Sequence, residues 1–222
     1  MRLLRVFVSG TDTGVGKTEA ALALLSLLRD ANLAPAAMKP FETGVVDGQP
    51  ADALALWRAA GSGGALDQVC PNRYPEPLAP GVAALRERRR GGFARALRAF
   101  HAFDGRSLVV EGAGGLFVPV DRRRDMIDLA AAMKLPVLVV ARAGLGTLNH
   151  TALSLHALRQ RRIRTLAVLL VRGAAPDPSE KDNAAWIARR NGVRVLGPVP
   201  FEPDPRRRRV AFRRVLRDLA RP

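Results

Sequence analysis

The sequence predicts one α/β domain, built on a mainly parallel β-sheet with helices on both faces. The candidate strands, such as residues 136–141 (PVLVVA) and 166–171 (LAVLLV), are continuous apolar runs, as is typical of parallel strands buried on both sides. Segments with a helical pattern separate these runs along the chain. No internal repeat or linker divides the 222 residues, so we expect a single domain over 1–222, with a basic C-terminal segment at 203–222.

The first half of the chain predicts two strand–helix units followed by a long connection. The predicted elements are a strand at 3–9, a loop at 10–16, a helix at 17–29, a strand at 34–38 and a helix at 51–60. Residues 61–80 are rich in Gly and Pro and predict an irregular connection. Residues 82–103 predict one or two helices, interrupted at Gly91-Gly92.

The second half continues the alternation of strands and helices. An apolar strand at 107–110 ends at Glu111, and further strands are predicted at 136–141, 166–171 and 193–196. Helices are predicted at 147–161, 182–190 and 210–219.

Composition excludes some classes of protein and places the chain in the cytoplasm. The single cysteine, Cys70, cannot form an intrachain disulfide, and no apolar run approaches the roughly 20 residues that cross a bilayer. The start of the chain lacks the apolar region and cleavage site of a signal peptide. We therefore expect a cytoplasmic protein without a membrane partner.

The net charge of +16 needs a separate explanation, because basic surfaces attract nucleic acid. Only four of the 36 basic residues are lysine, and the other 32 are arginine, a skew that GC-rich codons produce. The densest run, at residues 206–209, lies near the C-terminus, where solvated tails are common. Compositional drift is the favoured explanation, and a nucleic-acid partner is not expected.

A glycine-rich loop between the first predicted strand and helix carries the strongest functional signal. Residues 10–18 read GTDTGVGKT, in the strand–loop–helix context that a phosphate-binding P-loop requires. Glycines let backbone N–H groups face one anion, and the helix N-terminus adds its positive dipole end. Lys17 would then reach the β- and γ-phosphates and the Thr18 hydroxyl would ligate Mg²⁺. Five residues rather than the usual four separate Gly10 from Gly16, and Thr11 occupies the usual glycine position.

The loop predicts a fold of the P-loop NTPase type, in which we expect further charged residues at the same edge of the sheet. Glu111 ends a buried strand and precedes Gly-Ala-Gly-Gly, so its carboxylate is a candidate magnesium ligand. Asp52 is either a second such acid or the N-cap of its predicted helix. Lys39 follows the second strand, where its cation could stabilise the charge that develops in a phosphoryl transfer, although taken alone this position is more typical of a surface lysine.

Taken together, these segments resemble the dethiobiotin synthetase family. The resemblance rests on GTDTGVGKT at 10–18, KPFETG at 39–44, DALAL at 52–56, EPLAP at 76–80, VEGAGGL at 110–116 and GTLNH at 146–150. It extends from about residue 5 to residue 201, and the five-residue spacing in the phosphate loop is that family's own form.

The resemblance implies a ligase that closes the ureido ring of biotin's precursor. The substrates would be 7,8-diaminononanoate, CO₂ (or bicarbonate) and ATP, with Mg²⁺ as cofactor. One amine would become a carbamate, which attacks the γ-phosphate and forms a carbamic-phosphoric anhydride. The second amine would then close the ring, giving dethiobiotin, ADP and phosphate. The resemblance also implies a homodimer, with the substrate near the interface.

The resemblance also assigns roles to individual residues. The catalytic residues would be Lys39, Lys17 and Thr13, and the magnesium ligands Thr18, Asp52 and Glu111. Substrate would contact Thr13, Thr43 and Asn149, the last at the dimer interface. The nucleotide would be bound by Gly14, Val15, Gly16, Lys17, Thr18, Glu19, Glu111, Gly112, Ala113, Gly114, Arg172, Pro200, Phe201 and Glu202.

One position in the base-binding region differs from the family pattern. Arg172-Gly173 stand where many members carry an Asn-Asp type pair that reads the adenine. An arginine has no hydrogen-bond acceptor for the adenine amino group, but its guanidinium can stack on the base.

Two alternatives from the wider P-loop group stay open at this point. One is a related small-molecule ligase such as an amidotransferase-type cobyrinate synthase, which carries a glutaminase domain for which 222 residues leave no room. The other is a DNA-associated partitioning ATPase. Those ATPases carry a second lysine early in the loop, where this chain has Gly-Thr-Asp-Thr.

Overall fold

Parallel strands form the central layer of the computed structural model, which describes residues 3–220. Within these residues the main sheet has six strands, in the order β2-β5-β1-β6-β7-β8, and a smaller parallel sheet pairs β3 with β4. The strands are β1 (Arg5–Gly10), β2 (Ala36–Met38), β3 (Phe41–Thr43), β4 (Asn72–Tyr74), β5 (Leu108–Gly115), β6 (Val137–Arg142), β7 (Thr165–Val171) and β8 (Val195–Val199). Each pairing between the described strands of the main sheet is parallel, as predicted.

Helices cover both faces of this sheet. They are α1 (Lys17–Asp30), α2 (Ala51–Ala59), α3 (Leu66–Val69), α4 (Pro80–Arg86), α5 (Gly92–His101), α6 (Met126–Ala132), α7 (Thr147–Gln160), α8 (Glu180–Asn191) and α9 (Pro205–Leu216), followed by a 3₁₀ turn (Arg217–Leu219). Within residues 3–220, none of the helices is long and apolar enough to span a membrane.

Alternate side chains of each central strand enter two separate hydrophobic clusters. In β6, Val139 packs in the cluster that includes α5, α6 and α7, whereas Leu138 and Val140 pack in the cluster with α1 and α9. Because both sets are apolar, the strand reads as a continuous apolar run in the sequence. The predicted architecture of a parallel sheet with helices on both faces is confirmed.

The connection predicted to be irregular contains two short elements. Residues 61–80 include α3 and β4, and β4 pairs with β3, a strand that the sequence did not predict. Each of these strands has three residues, so their apolar pattern is too short to recognise. The buried Asn72 side chain donates to the carbonyls of Pro40 and Gly92 at 2.9 and 3.0 Å, which ties β4 to the segment before β3.

Strand β5 continues beyond its predicted end. The sequence predicted a strand that ends at Glu111, but pairing with β1 extends to Gly115, opposite Gly10. A Cβ at Gly112 would lie 2.8 Å from Phe7 Cε1, so glycine permits the close approach here. Helix α6, also not predicted, begins at a capping box formed by Asp125 and Asp128.

The C-terminal helix begins five residues before its predicted start. Helix α9 begins at Pro205 instead of residue 210 and so includes the arginine run at 206–209, which is not a solvated tail. Asp204 caps the helix by accepting a hydrogen bond from Arg207 N at 2.8 Å. Phe212 and Leu216, four residues apart, are buried in the same cluster as α1, and Arg213 bonds Ser26 and Asp30 of that helix.

Candidate active site

The predicted phosphate loop connects the C-terminal end of β1 to the N-terminus of α1. Gly14 and Gly16 adopt positive φ angles of 66° and 101°, which glycine reaches without strain. The Thr11 N–H donates to the Val140 carbonyl at 2.9 Å and anchors the loop to β6. Helix α1 begins at Lys17, so its unpaired N–H groups and positive dipole end lie at the loop. This arrangement suits an anion such as a phosphate group.

Lys17 is a buried cation at the centre of this loop. Its Nζ donates to the Asp12 carbonyl at 2.7 Å, so the side chain folds back over the loop. Burial lowers the pKa of Lys17, while the carboxylate of Glu111 opposes this shift and the charge of Lys39 adds to it. The loop therefore contributes both a positive charge and backbone donors to one cleft.

A second cation lies between two carboxylates beside the loop. Lys39 Nζ is 2.6 Å from Glu111 Oε1 and 3.0 Å from Asp52 Oδ2. The sheet brings Lys39 and Glu111 together, because Met38 of β2 is paired with Val110 of β5. Thr18 Oγ1 at the start of α1 donates to the same Glu111 oxygen at 2.8 Å. Four residues predicted from separate segments thus meet at one point.

The environment of Lys39 keeps it positively charged. Burial lowers the pKa of Lys39, but the charges of Glu111 and Asp52 and their hydrogen bonds outweigh that effect, so the pKa is raised above its usual value. A lysine in this state donates hydrogen bonds and neutralises negative charge. It does not act as a base near neutral pH.

The position of Asp52 decides between its two predicted roles, an acid of the cleft and the N-cap of its helix. The N-cap position of α2 is Pro50, and Asp52 is the second residue inside the helix. Its carboxylate points to Lys39 instead of capping the helix. The N-cap reading is therefore wrong, and Asp52 contributes its charge to the cleft.

The oxygen ligands of the cleft fit a magnesium ion. Glu111 Oε2 is buried and has no hydrogen-bond partner among residues 3–220, although buried carboxylate oxygens normally have one. The Thr18 hydroxyl and the Asp52 carboxylate lie beside the same Lys39–Glu111 pair. Hard oxygen donors of this kind suit Mg²⁺, which commonly takes one or two carboxylates and completes its shell with water and substrate phosphates.

Metal cages made from protein side chains alone are absent from the described part of the chain. Within residues 3–220, no group of three or more His, Cys, Asp or Glu side chains could hold a metal ion. Two carboxylates and a hydroxyl therefore leave positions for ligands that a substrate supplies.

Glu42 is a residue of the cleft that the sequence did not single out. Its carboxylate is buried and accepts hydrogen bonds from the backbone N–H groups of Asp52, at 2.9 Å, and Ala53, at 2.8 Å. Burial raises the pKa of Glu42, and the two hydrogen bonds oppose the rise. The only sequence signal was its place in KPFETG, between Lys39 and Thr43.

The cleft brings together most of the residues predicted for the site. It encloses about 350 Å³ and is lined by Thr13, Gly14, Gly16, Lys17, Thr18, Glu19, Lys39, Phe41, Glu42, Thr43, Asp52, Glu111, Ala113 and Gly114. Val15 and Gly112, also predicted, are buried and do not line it.

The residues predicted for the base-binding region lie outside the cleft lining. Arg172 follows β7, its N–H donates to the Val199 carbonyl at 2.9 Å, and its guanidinium pairs with Glu180 at 2.9 Å. Pro200, Phe201 and Glu202 follow β8, and the Phe201 ring is half exposed.

Arg208 of α9 joins this segment to α1. Its Nε donates to the Glu202 carbonyl at 2.8 Å, and its other nitrogens reach the Pro203 carbonyl at 2.8 Å and Glu19 at 3.4 Å. The segment after β8 is therefore tied to the first turn of the phosphate-loop helix.

Asn149, predicted to contact substrate across a dimer interface, is exposed on the first turn of α7. It does not line the cleft. Within one subunit the structure therefore does not bring Asn149 into contact with the residues around Lys39.

Solved structures share this fold at low sequence identity. A ParA family ATPase from Chlorobium tepidum matches with a TM-score of 0.59 at 14% identity, covering 97% of this chain and 98% of that one. A cobyrinic acid a,c-diamide synthase from Mycobacterium smegmatis matches with a TM-score of 0.53 at 15% identity, covering 96% and 92%. At such identities the likeness shows the fold alone.

Sequence relatives are far more similar. A family model described as an AAA domain matches residues 4–209. The ATP-dependent dethiobiotin synthetase BioD of Anaeromyxobacter dehalogenans is 49% identical over 214 residues, which cover 95% of this chain and 96% of that protein. Proteins of the same name from Rhodococcus jostii and Bacillus licheniformis are 40% and 37% identical, over 87% and 89% of this chain and 84% and 86% of theirs. The chain belongs to the family of ATP-dependent dethiobiotin synthetases.

Proposed function

We propose that this chain converts 7,8-diaminononanoate, CO₂ and ATP into dethiobiotin, ADP and phosphate, with Mg²⁺ as cofactor. The relatives support the reaction, since the protein from Anaeromyxobacter dehalogenans, which is 49% identical over nearly the whole chain, is an ATP-dependent dethiobiotin synthetase. The observation in the structure that carries the proposal is Lys39, a buried cation held between Glu111 and Asp52 beside the phosphate loop.

The substrate supplies its own nucleophiles in this reaction. One amine of the diamine attacks CO₂ and loses a proton, which gives a carbamate. A carbamate oxygen then attacks the γ-phosphorus of ATP, and the bond from that phosphorus to the bridging oxygen breaks to release ADP. The second amine attacks the carbonyl carbon of the mixed anhydride, loses a proton and expels phosphate. No Ser, Cys or His nucleophile is required, and the protein acts by positioning and charge neutralisation.

The residues of the cleft have complementary roles in this proposal. Lys17 and the loop amides bind the β- and γ-phosphates, where negative charge shifts during transfer. Lys39 neutralises charge between the carbamate and the γ-phosphate, and its raised pKa keeps it protonated for that purpose. Thr13 and Thr43 line the cleft beside these two lysines and contact the diamine or its carbamate.

Magnesium has a defined set of protein ligands in the proposal. Thr18, Asp52 and Glu111 would hold the ion, and Glu111 Oε2, which has no hydrogen-bond partner among residues 3–220, supports that assignment. When bound, Mg²⁺ supplies positive charge to the β- and γ-phosphates. Glu19, Ala113 and Gly114 complete the nucleotide side of the cleft.

The base of the nucleotide lies outside the cleft, between the ends of β7 and β8. We assign it to Arg172 and to residues 200–202. The ion pair with Glu180 already fixes the Arg172 guanidinium, so stacking on a base costs this side chain little further conformational freedom. Because arginine accepts no hydrogen bond, discrimination between adenine and other bases is expected to be weak.

A homodimer is part of the proposal, with Asn149 at the interface. Helices α7 and α8 border a groove of about 370 Å³ that Asn149 lines together with Leu148 and Trp186. Leu148 and Trp186 are 44% and 57% exposed, and exposed apolar side chains grouped in this way are typical of protein interfaces. Light scattering coupled to size exclusion should give twice the monomer mass of 23.9 kDa, and a monomer at micromolar concentration contradicts this assignment.

The reaction is tested by measuring phosphate release from Mg²⁺ and ATP in bicarbonate, with and without 7,8-diaminononanoate, and by identifying dethiobiotin by mass. Release must depend on the diamine. Lys39→Ala should abolish it, whereas Lys181→Ala, which removes an exposed lysine on α8, should not. The proposed reaction is refuted if phosphate is released at the same rate without the diamine, or if no nucleoside triphosphate gives phosphate release.

A further inference from the structure

Helix α2 has no cap from its own flanking residues. Its N-cap position is Pro50, which has no side-chain acceptor, although the first N–H groups of any helix lack partners within the helix. Glu42 of β3 supplies the missing acceptors from ten residues away, at 2.9 Å to Asp52 N and 2.8 Å to Ala53 N. A carboxylate at this end also complements the helix dipole.

The position of Glu42 is fixed from behind by the small sheet. Phe41 is fully buried, and β3 pairs with β4 at Glu42 opposite Arg73. Glu42 itself is 7% exposed, and burying a carboxylate is costly unless hydrogen bonds compensate it. The two backbone N–H groups of α2 provide that compensation, so strand and helix hold one another in a single arrangement.

The carboxylate of Asp52 projects from the same first turn that Glu42 caps. Asp52 Oδ2 is 3.0 Å from Lys39 Nζ, and Lys39 bonds Glu111. Both oxygens of Glu42 accept from backbone groups, whereas Glu111 Oε2 has no such partner among the described residues. Glu111 therefore has a carboxylate oxygen available to a ligand, whereas both oxygens of Glu42 are occupied by hydrogen bonds.

We infer that Glu42 is a positioning residue, which fixes the first turn of α2 so that the Asp52 carboxylate meets Lys39 and Mg²⁺. This inference rests on the proposed function for the identity of the metal and of the nucleotide. Partners that orient a metal ligand typically change metal affinity or activity by about 10–100-fold when they are removed.

Glu42→Gln is the most direct test, because it keeps the size of the side chain but places an amide NH₂ against one of the two backbone donors. ADP binding is titrated by calorimetry with and without MgCl₂. We expect Mg²⁺ to tighten ADP binding by about tenfold less in Glu42→Gln than in the unaltered chain. The same change should raise the Mg²⁺ concentration that gives half-maximal dethiobiotin formation.

Hydrogen exchange provides a reading that does not depend on nucleotide. At least one of the amides of residues 52 and 53 should exchange about tenfold faster in Glu42→Gln, because the new NH₂ group faces one of these two N–H groups and removes its acceptor. Asp125→Ala is the matched control, because the Asp125 carboxylate also accepts from a backbone N–H in the first turn of a helix, here from the N-cap position of α6 and outside the cleft. It should speed exchange in α6 only and leave the effect of Mg²⁺ on ADP binding unchanged.

A double-mutant cycle separates positioning from general damage. If Glu42 acts through Asp52, then Glu42→Gln should change Mg²⁺-dependent ADP binding by less than twofold when Asp52→Asn is already present. An equal effect in both backgrounds overturns the inference, as does unchanged exchange at residues 52 and 53. Should Glu42→Gln unfold at the assay temperature, Glu42→Asp, which keeps the charge but is one methylene shorter, takes its place in the cycle.

These readings are distinct from the test of the proposed reaction. If the unaltered chain makes no dethiobiotin but the exchange and ADP-binding results hold, the reaction is refuted while the role of Glu42 stands. If dethiobiotin forms and Glu42→Gln has normal Mg²⁺ dependence, the reaction stands and the role of Glu42 is refuted.

Discussion

Lys39 and Glu111 form a buried ion pair whose loss should have a large cost. The Lys39 and Glu111 side chains are 6% and 1% exposed, with 2.6 Å between Nζ and Oε1. Asp52 is 43% exposed, so its pairing with Lys39 contributes only about 0.2–1 kcal/mol. Lys39→Met keeps the apolar stem but leaves the Glu111 carboxylate buried without its cation. Removing one partner of a buried pair typically costs about 3–5 kcal/mol, and we expect that loss in the free energy of unfolding.

Urea unfolding measures this loss by linear extrapolation, provided that the slope against urea concentration is unchanged. The double variant Lys39→Met/Glu111→Gln removes both charges and keeps an acceptor for Thr18, so it should recover most of the stability. Lys181→Met on the exposed face of α8 is the control and should stay within about 0.5 kcal/mol of the unaltered chain. A single variant within about 1 kcal/mol, or a double variant no more stable than the single, refutes the reasoning.

Three further predictions concern residues outside the group formed by Lys39, Glu111 and Asp52. Arg208→Ala should raise the KM for ATP about tenfold with a smaller change in kcat, because it removes the hydrogen bond that holds the segment at Glu202. Arg207→Ala, on the same helix, is the control and should leave the KM for ATP unchanged in the same steady-state assay. Phe212→Ala should lower the free energy of unfolding in urea by about 3–5 kcal/mol, since the ring is 2% exposed and packs beneath the phosphate loop. Burial raises the pKa of the Cys70 thiol to about 12, so a thiol reagent at pH 8 should leave the native protein unlabelled and label one thiol after unfolding. The same shift makes the free energy of unfolding depend on pH: its contribution to stability is complete below about pH 9 and is lost as the pH rises toward 12.

The elements that could be predicted are those whose signal lies within one segment. Strands such as β6 and β7 are apolar along their whole length because both faces are covered, and helix α1 begins at the residue that the GTDTGVGKT motif indicates. The meeting of Lys39 with Glu111 could be expected as well. Both follow parallel strands, and the ends of parallel strands lie at one edge of the sheet.

The elements that could not be predicted depend on contacts between distant segments. Strands β3 and β4 have three residues each, and the buried amide of Asn72 in β4 bonds the carbonyl of Pro40, which precedes β3. In the sequence Glu42 resembles any other acid, because its role depends on the N–H groups of the second and third residues of α2, Asp52 and Ala53, which donate to it only in the folded chain. The early start of α9 likewise depends on Asp204 as cap and on burial of Phe212 against α1.

The two buried lysines have a consequence for how the composition of this chain can change. Arginine supplies 32 of its 36 basic residues, yet among residues 3–220 the basic side chains that line the cleft are two lysines, Lys17 and Lys39. An ammonium group is a compact point charge, whereas a guanidinium is a broad plane with a fixed fork of donors. With carboxylates at 2.6 and 3.0 Å around Lys39 Nζ, the wider group does not fit the same space. The preference of this chain for arginine over lysine therefore meets a steric limit in the cleft, whereas the exposed surface sets no such limit.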